Sequence, residues 1–86
     1  MAANAAVLNA EADSLEWQRV TSASGNVKRA AFSTLAGGRM YVEFRGGRRY
    51  VYHQVPRGVF DGLVSAPSAG TYLAAVVKPN YSYDPL

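Results

Sequence analysis

Between residues 39 and 44 the side chains alternate without a break. Met40, Val42 and Phe44 fall on one face, and Arg39, Tyr41 and Glu43 on the other. Successive side chains of a strand point to opposite sides, so this run reads as a half-buried strand. Gly46-Gly47 then closes a hairpin, because glycine tolerates the positive φ of a tight turn. Residues 48–55 read as the returning strand. This hairpin constrains everything around it, since a one-residue slip would invert every side chain.

Two registers compete. A two-residue loop, Gly46-Gly47, pairs Phe44 with Arg49 and places Tyr50 and Tyr52 beside Tyr41 and Glu43. A three-residue loop, Arg45-Gly46-Gly47, sets Val42 against Tyr50, Met40 against Tyr52 and Glu43 against Arg49. The second gathers the large apolar groups on one face and pairs the charges on the other. It is the preferred register and makes Tyr50 and Tyr52 core residues.

Around the hairpin, residues 27–33 read as a preceding strand with Ala30 and Phe32 inward. Leu35-Ala36-Gly37-Gly38 forms a turn. Pro56 suits the first turn of a helix, in which Val59, Phe60, Leu63 and Val64 make one apolar stripe. Pro67 ends that helix, and Ser68 caps a second over residues 69–77. Tyr72, Leu73, Val76 and Val77 face inward, and Pro79 stops the helix. Tyr81-Ser82-Tyr83 is a candidate edge strand. The expected fold class is α+β: a three-stranded antiparallel sheet with two short C-terminal helices on one face, plus an N-terminal arm. The arm spans residues 1–20 and the domain 21–86.

The arm is partly helical or extended, packed on its own domain or on a neighbour. Val7, Leu8, Leu15 and Trp17 are its apolar residues, too sparse for an amphipathic stripe. Trp17 either seals the edge of its own core, the preferred reading, or anchors a contact with a partner.

Charge is unevenly spread. Residues 1–18 carry Glu11, Asp13 and Glu16 with no cation. Residues 19–60 set eight arginines and lysines against Glu43 alone, and residues 61–86 hold Lys78 against Asp61 and Asp84. A basic middle suits an anionic partner, or is a solvated arginine surface. With no cysteine, disulfides and thiolate metal sites are excluded. No segment approaches the roughly 20 apolar residues of a membrane span. The start lacks the charged opening of a signal peptide, so the expected location is intracellular.

From about Ser22 to Tyr83 the chain resembles the KTSC domain, a small module also found at the C-terminus of some lysyl-tRNA synthetases. The resemblance is carried by Met40-Tyr41-Val42-Glu43-Phe44, the glycine turn, Tyr50-Val51-Tyr52, Val55-Pro56, Ala66-Pro67-Ser68-Ala69-Gly70-Thr71-Tyr72, Val77-Lys78 and Tyr81. It implies a compact α+β domain that also occurs alone in bacteria and phages. For such domains RNA binding is the usual suggestion, and no catalytic residues are established. The arm and the apolar run Ala74-Ala75-Val76-Val77 depart from the family and suggest additional hydrophobic contacts.

Reactive chemistry is scarce. His53 is the single histidine. A set built from His53, Asp61 and Ser33 or Ser68 lacks any nucleophile context, and the glycine pairs lack phosphate-loop spacing. No catalytic residue, metal site or cofactor is expected, and the protein is read as not an enzyme.

The leading expectation is an accessory subunit docking on a larger protein assembly, such as a phage virion, or on further copies of itself. Val7, Leu8, Trp17, Arg45 and Arg48 would form that interface. The alternative is an RNA- or single-stranded-DNA-binding module using an outward sheet face and its edge: Arg39, Tyr41, Arg45, Arg48, Arg49 and Lys78. A third reading places a small anionic ligand between sheet and tail.

Overall fold

The structure is a computed structural model that describes residues 4–22 and 25–86. Five strands, β1 (Trp17–Arg19), β2 (Val27–Ser33), β3 (Arg39–Phe44), β4 (Arg49–His53) and β5 (Tyr83–Pro85), form one antiparallel sheet in sequence order. Helix α1 (Ala5–Ser14) precedes it. Helix α2 (Arg57–Ser65) and the short α3 (Ala69–Tyr72) follow β4, and α3 widens into a π turn over Leu73–Val77. The three-residue hairpin loop is present. Phe44 N donates to Arg48 O at 2.8 Å and Gly47 N to Phe44 O at 3.0 Å. Val42 therefore faces Tyr50, Met40 faces Tyr52 and Glu43 faces Arg49.

The sheet buries both faces. On one, Val27, Ala30, Met40, Val42 and Tyr52 pack under Phe60 and Leu63 of α2, Ala69 of α3 and Leu73 and Val77 of the π turn. On the other, Ala31, Tyr41 and Val51 pack under Leu8 and Ala12 of α1, with Leu15, Trp17 and Leu86 at the margin. Alternate residues of one strand serve the two cores, as the period of two requires. Ser68 caps α3, its hydroxyl accepting from Thr71 N at 3.3 Å. Asn4 does the same for α1, accepting from Val7 N at 3.0 Å.

Three expectations are corrected. The sheet has five strands, not three: β1 and β5 are three residues each, too short to show a period, and only pairing with β2 and β4 defines them. Of the two readings of the arm, packing on its own domain is the one observed, as a helix and a strand, so the correction falls on Leu8, which at 3% exposure is core and not interface. The face carrying Tyr41 is not open. α1 covers it, and Tyr41 is 0% exposed, which removes it as a stacking platform.

Two glycines mark close approaches. Gly38 (φ +100°) lies against the backbone of Val55, whose N–H donates to Gly38 O at 3.0 Å. Gly62 of α2 leaves room for the ring of Tyr72, which crosses from α3.

Candidate nucleic-acid interface

The cations expected on the sheet face are neutralised within the domain. Glu43 accepts from Arg29 at 2.7 and 3.2 Å and from Arg49 at 3.0 Å. Arg49 also reaches Asp13 of α1 at 3.0 Å. Glu11, projecting from α1, accepts from Ser33 at 2.9 Å, from Arg39 at 3.2 Å and from the hydroxyl of Tyr41. The guanidinium groups of Arg29 and Arg49 lie 5.0 and 4.8 Å from the centre of the Trp17 ring, and Trp17 Nε1 donates to Ala12 O at 2.8 Å. Trp17 thus seals its own core through cation–π contacts.

The carboxyl groups respond accordingly. The Arg29 guanidinium, with help from Arg49, outweighs burial and holds Glu43 down to about 2. For Glu11, burial pushes upward, yet the donors Tyr41, Ser33 and Arg39 together leave it below the usual carboxylate range. Burial and then the Glu11 carboxylate push the Tyr41 phenol well above its ordinary value.

The opposite edge of the sheet differs. A pocket of about 370 Å³ opens beside the β3–β4 hairpin, lined by Phe44, Tyr50, Tyr52 and Tyr83, by Arg45, Arg48 and Lys78, and by Asn26. The rings form a continuous run: Phe44 meets Tyr50 edge-on at 5.5 Å, and Tyr83 lies 5.5 Å from both Tyr50 and Tyr52, tilted 34° and 40°. Burial, then the neighbouring Tyr83 and Tyr50, push the Tyr52 phenol up to about 12, so it stays neutral at ordinary pH. Arg45 Nε is tied to Gly25 O at 2.8 Å. Arg48 and Lys78 are exposed and make no ion pair among the described residues. Among the described residues no acidic side chain lines the pocket.

The hairpin and the end of the π turn thus bring Arg45, Arg48 and Lys78 together, whereas Arg39, Tyr41 and Arg49 lie on the other face under α1. Val7 is 53% exposed on α1, far from Leu8 in environment. The pocket's aromatic residues were not singled out as site residues from the sequence. The available signal was the pairing of Tyr50 and Tyr52 on one face with a tyrosine-rich tail, and the register of β5 sets Tyr83 opposite Tyr52.

The residues considered for catalysis are dispersed. His53 Nε2 contacts Asp84 Oδ2 at 2.7 Å, Asp61 pairs with Arg57 at 3.2 Å, Ser33 donates to Glu11, and Ser68 caps α3. Among the described residues no three His, Asp or Glu side chains group as a metal site, and no helix is long and apolar enough to cross a membrane.

A protein of Tsukamurella paurometabola is 42% identical over 40 residues, a match covering 46% of this chain. The chain spans 60% of that relative's length. The KTSC domain matches residues 23–81, leaving α1, β1 and β5 outside the matched segment while including the hairpin, α2, α3 and Lys78. A match over more than half of the chain, on the elements that build both the sheet and the pocket rim, places this chain in the KTSC domain family.

Proposed function

We infer that this is a non-enzymatic binding module that takes single-stranded nucleic acid, RNA or DNA, at the hairpin pocket. The observation that carries this reading is the pairing of two cations without an ion-pair partner among the described residues, Arg48 and Lys78, with an aromatic wall. Cations attract the phosphate backbone and rings stack on bases, which is how single strands are held without sequence readout. The test is binding of a fluorescent single-stranded oligonucleotide at several salt concentrations. Affinity falls steeply with salt, and the double variant Arg48→Ala/Lys78→Ala has a shallower log–log slope. Salt-independent binding, or a slope unchanged in the double variant, rejects this site.

A second reading, docking on a larger protein assembly such as a phage particle, draws on Val7, exposed on α1, and on the arginines of the hairpin tip. Leu8 and Trp17 are committed to the domain's own core. A pull-down in which Val7→Ser loses a protein partner while Arg48→Ala/Lys78→Ala keeps it favours this second reading.

A further inference from the structure

We propose that the unit held in the hairpin pocket is a single nucleotide, its base laid on Tyr83 and its phosphate between Arg48 and Lys78. The proposal deepens the reading above and rests on it for the location of the site. Tyr83 is 52% exposed, on an edge strand, and belongs to the tail beyond the family segment. Its ring packs against Tyr50 and Tyr52 yet stays half open and lines the pocket. A half-exposed tyrosine contributes less to a core than a buried one, but it offers a face on which a planar ligand can stack.

The strand holds that ring in place. His53 N donates to Ser82 O at 2.9 Å, and Leu86 N to Arg49 O at 2.9 Å, on either side of Tyr83. The imidazole of His53 meets Asp84 Oδ2 at 2.7 Å and ties the strand from its other face. The stacking surface is therefore ordered before the ligand arrives, which lowers the entropic cost of binding.

The ligand class follows from the two halves of the lining. An inorganic anion uses only the cations, and an uncharged aromatic compound uses only the rings. A nucleotide uses both at once. The volume, about 370 Å³, lies near the lower end of small-ligand pockets and suits one such unit. Asn26 adds an amide that both donates and accepts, as a base edge requires. A free nucleotide and one residue of a single strand share this chemistry.

The experiment titrates the full chain with uridine monophosphate, uridine, ribose phosphate and a short oligouridylate, following tyrosine ring signals by NMR. Uridine monophosphate is expected to perturb Tyr83 and to bind at least about tenfold more tightly than uridine or ribose phosphate. Tyr83→Ala weakens it about tenfold, and Tyr83→Phe restores it, because stacking needs the ring and not the hydroxyl. The Phe variant also separates stacking from damage to β5. Equal binding of ribose phosphate and uridine monophosphate overturns the proposal and leaves a plain anion site. Oligonucleotide binding that ignores Tyr83→Ala also overturns it, while the nucleic-acid reading stands. Tyr83-dependent mononucleotide binding without oligonucleotide binding upholds the site as one for free nucleotides and removes the nucleic-acid reading.

Discussion

The hydroxyl of Tyr41, at the centre of the sheet, donates to the carboxylate of Glu11 on the N-terminal helix. This contact closes one face of the sheet. The same carboxylate accepts from Ser33 and Arg39, so a single acidic side chain satisfies three donors beneath α1. The helix buries only Leu8 and Ala12 of its own apolar residues, and polar anchoring supplements a small apolar contact. The open pocket of about 370 Å³ lies elsewhere, beside the β3–β4 hairpin.

Glu11→Ala leaves a buried phenol, a buried serine hydroxyl and a guanidinium without their acceptor. The expected loss is about 2–3 kcal/mol, the cost of stranding buried donors. Urea unfolding measures it. Trp17, the single tryptophan, reports through its fluorescence whether α1 also lifts from the sheet.

Acid stability follows from Glu43. Its carboxyl titrates near 2 in the fold against an ordinary 4.5. A lowered folded pKa contributes stability that is complete above about 4.5 and fades as pH falls toward 2. The contribution is on the order of 2 kcal/mol, reduced by the partial exposure of Arg29. Glu11 is shifted in the same direction and adds to the trend. Thermal melts should show a falling Tm from pH 5 to 2 (roughly, the span of these titrations). Glu43→Gln should be less stable at neutral pH and show a flatter acid limb.

Gly38 and Gly58 should respond oppositely to alanine. At Gly38 the backbone has φ +100°, and an added Cβ would run into the carbonyl oxygen of Val55. Gly38→Ala is expected to cost on the order of 3 kcal/mol. Gly58 opens α2 with nothing near the added carbon. Gly58→Ala should stabilise by about 0.5–1 kcal/mol through helix propensity and a less flexible unfolded chain. Denaturant midpoints of both variants decide the matter.

Arginines on the two sides of the domain should separate stability from binding. Arg39→Ala exposes the Glu11 cluster to loss of its cation and lowers the midpoint of unfolding, with oligonucleotide affinity at fixed salt unchanged. Arg48→Ala/Lys78→Ala leaves the midpoint nearly unchanged and reduces the log–log salt slope by about 1.4, from two lost phosphate contacts on a single strand. Fluorescence anisotropy and urea titration on the same samples give both quantities.

The hairpin register, the span of β2 and the two C-terminal helices were legible from the chain itself. The reason is local: a period of two over residues 39–44, a glycine pair, a proline at the entry of α2 and a serine cap on α3 each act within a few residues. Arg45, Arg48 and Lys78 were likewise found as candidate contacts by charge. Tyr41 was placed on an exposed face because its strand neighbours Arg39 and Glu43 are charged. Nothing in that alternation reveals that Glu11, some thirty residues earlier, satisfies the same hydroxyl.

Sequence alone therefore settled what short-range chemistry controls: strand faces, turns, caps and an α+β order. Tertiary structure alone decided that both sheet faces were covered, which cations were neutralised, and that Tyr83 completed an aromatic wall with Tyr50 and Tyr52. Those outcomes depend on contacts between distant segments. A three-residue edge strand or a sparse helix carries no period of its own, and takes its place only when the sheet offers it hydrogen bonds, an apolar surface and donors for its carboxylates.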